Sequence, residues 1–441
     1  MEAQYQREPS PRSNLRTFLW ILLFLAAAEF VIRGPVRFLF QETAWNDLSQ
    51  NYTASKLWLN GQSPSDPRKF VALWKQERGS RLDLTDIRTH LAPPLGGLVV
   101  LAPIAAFHWN VARILWTVVL SLAFAATVWA LALAAGLRDG NPALAFVAAC
   151  LALAPFHTGI ASGNPSILVI GFCALAILAA VRRHDVAAGI LFGLACSLKP
   201  HIGAGLVLYY LVQRRWQLFT TAVATTVGLF VFAALYLWLR GASWIQDYLQ
   251  NAKGFVSANS IDDFSSANPS RFTLINLQVP FFSLTGHSSS ANYLALAVGG
   301  TLLLAWLYWV FKGDEQGSGL LPLGAIAIIS LLPVYHRFYD AALLALPLCW
   351  CMSKNVRRPR KITTIALVLM IPFLVPGTAF LQQFAAHSQL SNSMTCSWWW
   401  DRIVMPHETW ALLFLSLILI YAMKLSAPGQ SQNEMKTTAE H

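Results

Sequence analysis

Asp47 is an acidic residue whose position could serve a chemical reaction. It lies shortly beyond the first apolar segment, and a helical pattern of apolar and polar residues follows it as far as Leu59. A carboxylate held at the membrane surface could act as a general base on a hydroxyl group, with Asn46 and Tyr52 contacting the substrate beside it. The alternative is that Asp47 only caps the helix that begins near Leu48.

Lys199 is a basic residue enclosed by apolar sequence, in the stretch CSLKPHIGAG. A lysine between two apolar helices is costly and needs a partner. An anionic lipid phosphate would suit it, and His201 is expected to contact the same substrate. The alternative is a lysine at a helix end whose ammonium extends back to water.

The segment YHRFYD at residues 335–340 brings an imidazole, a guanidinium and a carboxylate into one turn. If the turn is helical, His336, Tyr339 and Asp340 share one face. We predict that His336 and Arg337 bind the donor phosphate and that Tyr339 and Asp340 contact the substrate. The alternative is a local pair of Arg337 with Asp340 that caps two helices.

Asn164 lies in a Gly-Asn-Pro turn at residues 163–165. Such a turn is ordinary loop chemistry and carries little information alone. We include Asn164 among the substrate-binding candidates because the topology derived below places this turn on the same side as the other three segments.

The composition excludes an ordinary soluble protein and a nucleic-acid-binding protein. Of 441 residues, 56% are hydrophobic and only 12% are charged, whereas a soluble domain is about a quarter charged. The net charge of +11 is explained by the accumulation of Lys and Arg in cytoplasmic loops. The six cysteines lie mostly in apolar runs, without the paired spacing of a zinc site or a disulfide framework.

The apolar segments predict an all-α polytopic membrane protein with both termini in the cytoplasm. The positive-inside rule places the basic clusters at 182–184, 214–215 and 354–361 in the cytoplasm. Twelve transmembrane helices are predicted, at residues 17–33, 110–136, 142–157, 164–181, 185–198, 200–213, 217–239, 291–312, 318–335, 338–353, 361–380 and 409–424.

The stretch 93–107 is predicted to be an interfacial or re-entrant helix on the outer side. It begins with two prolines, contains a third and is short for a crossing. The transmembrane domain then covers 17–424, between cytoplasmic tails at 1–16 and 425–441. Its long first outer loop covers 34–109 and its second covers 240–290. The four polar segments described above converge on the extracytoplasmic side.

The order of several short motifs resembles membrane glycosyltransferase family 87. In the first third these are NDL at 46–48, Tyr52, Ala54, Gly61, DP at 66–67 and PPL at 93–95 with Pro103. Further along they are GNPS at 163–166, AGIL at 188–191, GLA at 193–195, KP at 199–200 and RRW at 214–216. The chain departs from the family at Asn164, where Gln is common, and at residues 335–337, where the family shows Ser-Trp with paired His.

The resemblance implies the C-type glycosyltransferase fold and a polyprenyl phosphate sugar as donor. The catalytic acid of the family lies in the first outer loop, and Asp47 matches it. Lys199 matches a family lysine before proline, and His336 matches a histidine of a late outer turn. In this mechanism Lys199 and Arg337 stabilise the leaving phosphate, one displacement inverts the anomeric centre, and neither a metal nor another cofactor is needed.

We therefore predict a hexosyltransferase of a bacterial plasma membrane, with its active site on the extracytoplasmic side. Mannose is the expected sugar, and the acceptor is a lipid or glycan of cell-envelope glycolipid biosynthesis. The alternative function is a polytopic transporter or lipid flippase, which would also carry charges within the membrane. An internal inverted repeat, which would favour transport, is not evident, because the sequences that flank the two long outer loops are not similar to each other.

Overall fold

The structure of the chain is a computed structural model. It describes residues 11–41, 46–78, 94–255, 262–313, 319–353, 360–387, 395 and 397–427. Most of the two predicted tails, part of the first outer loop at 79–93 and most of the basic cluster at 354–361 lie outside the described residues. The described residues are helical and form no strand, which agrees with the predicted all-α class.

The helices of the first half begin with two segments joined by a π-turn. Their bounds are α1 Pro11–Val31, α2 Arg37–Phe40, α3 Asp47–Leu59, α4 Pro67–Arg78, α5 Leu95–Ala105, α6 Trp109–Ala134, α7 Gly140–Ala152, α8 Ala154–Ser162, α9 Ser166–Val181 and α10 Asp185–Leu198.

The helices of the second half include three short 3₁₀ turns, at Arg271–Thr273, Phe338–Leu344 and Ile371–Leu374. The α-helices are α11 Pro200–Val212, α12 Trp216–Leu239, α13 Trp244–Phe255, α14 Gln278–Thr285, α15 Ser288–Lys312, α16 Leu320–Ser330, α17 Ala345–Met352, α18 Arg360–Met370, α19 Gly377–His387 and α20 His407–Ser426.

Several of these helices are long and apolar enough to cross a membrane. Five meet that test singly, and two bent pairs, α7 with α8 and α18 with α19, raise the number to seven among the described residues. Each of the twelve predicted spans coincides with helical structure. The shorter apolar helices, such as α10 and α11, fall below the length of an ordinary crossing. A multi-pass membrane protein is supported, and the count of twelve stays a prediction.

The helices that carry the polar residues pack in the buried centre of the molecule. Helix α9 packs between α6 and α10, and α10 packs against α12. Gly193 allows the close approach of α10 and α12, since a Cβ atom there would lie 2.4 Å from the Cβ of Thr225. Helix α5 is short and packs on α3 and α12, which suits the predicted re-entrant helix. The polar ends of α9 and α10 are thereby held by apolar packing on several sides.

Candidate active site

Helix α3 begins with a capping box that does not involve Asp47. The Oδ1 of Asn46 accepts a hydrogen bond from the backbone of Ser49 at 2.8 Å, and the Oγ of Ser49 accepts one from the backbone of Asn46 at 3.1 Å. Asn46 is therefore the N-cap and Asp47 the first residue of the helix. The alternative that Asp47 serves only as the cap is wrong, and the carboxylate is available for other contacts.

The turn at Gly163 fixes the position of Asn164. Helix α8 ends at Gly163 in the left-handed conformation, with φ of 67°. A Cβ atom there would also lie 2.7 Å from Phe38 and 2.9 Å from Leu48, so both backbone and packing require glycine. The backbone of Asn164 donates to the Gly159 carbonyl at 2.9 Å, and Asn164 is 4% exposed.

Asn164 joins the first outer loop to the start of α9. Its Nδ2 donates to Asp47 Oδ2 at 2.8 Å, and its Oδ1 accepts from the backbone of Ser166 at 2.9 Å. The Oγ of Ser166 lies 2.6 Å from that same Oδ1. Residues 117 positions apart in the chain are thus hydrogen-bonded directly.

Lys199 lies at the junction of α10 and α11 and forms a buried ion pair. Its Nζ lies 3.0 Å from Asp340 Oδ1 and donates to Ser166 Oγ at 2.7 Å. The side chain of Lys199 is 14% exposed and that of Asp340 is 1% exposed. Its ammonium also lies 5.0 Å from the ring centroid of Tyr339. The alternative of a lysine that extends back to water is wrong, because both its charge and its donors are used inside the protein.

The outer turn at 335–340 is only partly helical. The 3₁₀ turn begins at Phe338, whereas Leu274 and Arg337 form an isolated antiparallel bridge and Ile275 donates to the His336 carbonyl at 3.0 Å. Arg337, which pairs with the second outer loop, has an extended backbone, with φ of −106° and ψ of 164°. The expectation of one continuous helical face is therefore wrong at this residue.

His336 and Asp340 nevertheless touch. The Nδ1 of His336 lies 3.1 Å from Asp340 Oδ2, which also accepts from the backbone of Arg337 at 3.2 Å. An ionised carboxylate can only accept, so Nδ1 carries the proton and Nε2 presents a lone pair when the ring is neutral. The Nε2 atoms of His336 and His201 are buried and make no hydrogen bond within the part of the chain that the structure describes.

Arg337 is the second cation of this region. Burial on its own would lower the pKa of Arg337, but Tyr335, Tyr339 and the carboxylates of Asp47 and Asp262 raise it above its ordinary value. The guanidinium is therefore a permanent charge, stabilised electrostatically by acids from two different outer loops. Such a group suits the binding of an anion in a site of low dielectric.

Asp262 is an acid of the second outer loop that the sequence interpretation missed. Burial raises its pKa to about 7, against the lowering influence of Tyr335, Arg337 and Lys199. Asp262 lies in a polar part of the second outer loop, directly before Asp263, and no spacing pattern distinguishes it from its neighbours. Ser166 was also missed as a site residue, although it is a polar residue at the start of an apolar helix.

Three helices begin at residues of this network. Helix α3 starts at Asp47, α9 starts at Ser166, and Lys199 is the N-cap of α11. The positive ends of their dipoles point into the region that also holds Lys199 and Arg337. The arrangement favours an anion, and a phosphate group carries the charge and acceptors that it could bind.

His201, His336 and Asp340 form a group that could also hold a metal ion. Their ligand atoms lie within 4.8 Å of one another, and the two imidazole rings meet edge to face with centroids 4.8 Å apart. The Asp340 carboxylate, however, already pairs with Lys199 and accepts a hydrogen bond from His336 Nδ1. A metal ion there would face a fixed ammonium charge, so the contacts favour the ion pair.

Tyr52 uses its hydroxyl in a different set of contacts. The hydroxyl lies 2.8 Å from the Phe107 carbonyl, 3.0 Å from Glu77 Oε2 and 2.7 Å from Lys56 Nζ. The side chain of Asn46 is likewise used in the helix cap. Of the predicted site residues, the network therefore joins Asp47, Asn164, Lys199, His336 and Asp340, with His201, Arg337 and Tyr339 adjacent.

A comparison with protein families finds a match, whereas a search of curated proteins finds none. The model of glycosyltransferase family 87 matches residues 93–347, more than half of the chain. This segment contains Asn164, Ser166, Lys199 and the turn at 335–340, whereas Asp47 precedes it. The matched residues include most of the hydrogen-bonded network described above. The chain belongs to glycosyltransferase family 87 and is a membrane glycosyltransferase.

Proposed function

We propose that the protein transfers a hexose, mannose, from a polyprenyl phosphate to an extracytoplasmic lipid or glycan acceptor. The observation that carries the proposal is the Asp47 carboxylate, which Asn164 joins to the buried Lys199–Asp340 pair. A carboxylate and two fixed cations, Lys199 and Arg337, supply the groups that sugar transfer from a phosphate requires. Membership of family 87 supports the transferase class.

Asp47 acts as the general base in this mechanism. The acceptor hydroxyl oxygen attacks the anomeric carbon while its proton passes to the Asp47 carboxylate. The bond between the anomeric carbon and the phosphate oxygen breaks in the same step, and its electron pair leaves with the phosphate. A single displacement of this kind inverts the anomeric configuration.

Lys199 and Arg337 stabilise the charge that develops on the leaving phosphate. Both are buried cations near the N-terminal ends of helices, where electrostatic stabilisation is stronger than in water. The Nε2 of His336 accepts a hydrogen bond from a sugar hydroxyl when the ring is neutral, or donates one to the phosphate when the ring is an imidazolium. The catalysis draws on residues of the chain, without a step that requires a metal ion.

A lipid-linked donor suits the surroundings of the network. Helices α9, α10 and α11 are apolar along their lengths, so a polyprenyl chain could stay in the membrane while its head group reaches their polar ends. The extracytoplasmic orientation belongs to the same proposal and rests on the positive-inside rule. The bacterial plasma membrane is also proposed and rests on the resemblance to family 87.

The experiment is sugar transfer by the full chain in lipid nanodiscs. Radiolabelled polyprenyl phosphate mannose is offered first and the glucose donor second, with a membrane lipid extract as acceptor. Asp47→Asn is compared with Asp66→Asn, which changes an acid of the same loop. Asp66 accepts hydrogen bonds from the backbone at the start of α4, and Asn caps a helix about as well as Asp.

We expect labelled product from the parent and from Asp66→Asn, and at least about a 100-fold loss in Asp47→Asn. Normal transfer by Asp47→Asn at equal abundance would refute the base assignment. Transfer from the glucose donor alone would replace mannose by glucose. If the parent consumes neither donor, the proposed substrate class is wrong, and movement of the labelled lipid between leaflets tests the transporter alternative.

A further inference from the structure

We propose that Asn164 and Ser166 are positioning residues, which hold the Asp47 carboxylate in place and connect it to Lys199 and Asp340. The proposal rests on the proposed function, because it takes Asp47 as the base. The sequence alone placed Asn164 among the substrate contacts and gave Ser166 no role. The contacts of both side chains point to a role inside the protein.

The amide of Asn164 has one defined orientation. Its Oδ1 accepts from the backbone of Ser166 at 2.9 Å, and a backbone N–H can only donate. The other end of the amide, Nδ2, must therefore face Asp47 Oδ2, at 2.8 Å. Exchange of the two amide atoms would set two acceptors against each other at Asp47 and two donors against each other at Ser166. Asn164 thus acts on Asp47 as a hydrogen-bond donor of fixed direction.

The hydroxyl of Ser166 lies between three partners. Lys199 Nζ donates to it at 2.7 Å, while Asn164 Oδ1 and Asp340 Oδ1 lie 2.6 and 2.5 Å away. The hydroxyl has one proton, so it donates to one of these two oxygens at a time. Ser166 can therefore stabilise Asp340 with its proton when Lys199 turns toward an arriving phosphate.

This exchange keeps both oxygens of Asp340 hydrogen-bonded throughout the reaction. Asp340 is 1% exposed, and a buried carboxylate that loses its cation is strongly destabilised. His336 Nδ1 and the backbone of Arg337 donate to its Oδ2, while Oδ1 depends on Lys199 and Ser166. The Ser166 proton gives Lys199 the freedom to share its charge with the donor.

A direct role of Asn164 in substrate binding is harder to reconcile with these contacts. The residue is 4% exposed, and both ends of its amide are used by Asp47 and Ser166. A sugar hydroxyl could bind only the second N–H of Nδ2, in a side chain that has little access to solvent. A positioning role instead predicts that changes at Asn164 reduce kcat and leave the KM for the donor unchanged.

The first test measures kcat and KM separately for Asn164→Ala and Asn164→Gln, using the full chain in nanodiscs with polyprenyl phosphate mannose. Loss of the hydrogen bond that Asn164 donates to Asp47 is expected to lower kcat by about 10- to 100-fold, while the KM for the sugar donor stays within about threefold of the parent value. Asn164→Gln keeps an amide and should recover part of kcat. A raised KM with normal kcat would mean that Asn164 contacts the substrate, and would overturn the proposal.

The second test uses the pH dependence of Asn164→Asp. This variant sets a carboxylate against Asp47 at hydrogen-bond distance, so the two groups share a proton near neutral pH. Activity should fall at pH 7 and recover as the pH rises. Asn292→Asp is the control, because Asn292 accepts a hydrogen bond from Gln278 through its Oδ1 outside the network. An unchanged pH profile in a folded Asn164→Asp protein would overturn the proposal.

Ser166→Ala tests the link to Lys199. The variant removes the hydroxyl proton from Asp340, so kcat should fall by about 10-fold, and Ser166→Thr should restore part of it. Equal activity of Ser166→Ala and the parent would limit positioning to Asn164 and overturn the role of Ser166. If Asp47→Asn is fully active, the base assignment of the proposed function fails, and this inference fails with it. If Asp47→Asn is inactive while the Asn164 and Ser166 variants behave as the parent, only this inference fails.

Discussion

The two halves of helix α3 each carry a buried network of charges, and the two networks are built differently. In the C-terminal half, Lys56 pairs with Glu77 at 2.8 Å and donates to the Tyr52 hydroxyl, which contacts the Phe107 carbonyl. We call these four residues the brace, because they join α3, α4 and the end of α5. Each hydrogen-bonding group of these side chains is engaged within the brace.

The N-terminal half of α3 carries the network around Asp47. This network includes polar atoms that are not hydrogen-bonded. The Nε2 atoms of His336 and His201 are buried and without a hydrogen bond among the described residues. An unsatisfied buried polar atom costs free energy, so its retention suits a site that a substrate completes. A saturated network stabilises the fold, while an incomplete one is prepared for a ligand.

Replacement of the two buried lysines gives the largest expected difference between the networks. Lys199→Met removes a cation proposed to stabilise the leaving phosphate and should lower kcat/KM by at least about 100-fold. Lys56→Met removes a comparable charge from the brace and should retain most of the activity at 25 °C. The measurement is kcat/KM per folded molecule in nanodiscs. Similar losses in both variants would refute the division into site and brace.

The brace should matter more for stability than for chemistry. Lys56 and Glu77 are 17% and 12% exposed, and a buried carboxylate left without its partner is destabilising. Lys56→Met is expected to lower the apparent Tm by about 5 °C. Thermal unfolding of the purified protein in detergent measures it, and the double variant Lys56→Met with Glu77→Gln should recover part of the loss. An unchanged Tm would show that the brace does not stabilise the fold.

The residue pairs within these networks could not be predicted from the sequence. Lys199 and Asp340 are 141 residues apart, and no local pattern relates them. The sequence did indicate which polar residues are unusual, because a lysine or an aspartate within apolar segments is rare. It therefore identified Lys199 and Asp340 individually as candidates and left their partnership open.

Local sequence preferences also could not identify the N-cap of α3, because two adjacent residues are equally suited to that position. Asn and Asp are both favoured at N-caps, so the sequence could not decide whether Asn46 or Asp47 caps α3. The extended backbone at Arg337 accompanies pairing of residues 336–337 with Leu274 and Ile275 of a distant loop. The helical segments themselves were predictable, because apolar composition and length determine them with little tertiary information.

The two regions should respond to pH in opposite directions. At Asp262, burial raises the pKa from 3.8 to about 7, so the folded chain holds a proton that the unfolded chain has lost between these pH values. The free energy of unfolding therefore falls as pH rises from about 4 to 7. Asp262→Asn should flatten this part of a plot of apparent Tm against pH. A parent plot that rises over the interval and is unaffected by the variant would contradict the assignment.

Glu77 in the brace should show the reverse dependence. Burial would raise its pKa, but hydrogen bonds from Lys56 and Tyr52 and the charge of Lys56 lower it below the ordinary value. Its stabilising contribution is present above pH 4.5 and is lost as the pH falls through the folded-state pKa. Glu77→Gln should weaken the acid-induced loss of stability and leave the dependence between pH 5 and 7. If Glu77→Gln loses stability at low pH as steeply as the parent, Glu77 is not the cause of that loss.

The smallest expected effect is at Asn46, which lies next to Asp47 in the chain. Asn46→Ser keeps a capping oxygen and should change stability little, whereas Asn46→Ala should cost about 1 kcal/mol of stability. If Asn46 serves only as the cap, both variants keep the donor KM of the parent. Thermal unfolding and kinetics on the same preparations measure the two effects.

The outcome at Asn46 would decide between the structural and the sequence interpretation of this residue. The sequence placed Asn46 in the substrate site because it precedes Asp47, while its side chain is hydrogen-bonded to Ser49 in the cap. A raised KM in Asn46→Ser, with Tm unchanged, would mean that the substrate competes with the cap for this side chain. The N-terminus of α3 would then change its contacts on binding, and Asp47 would be positioned by the substrate as well as by Asn164.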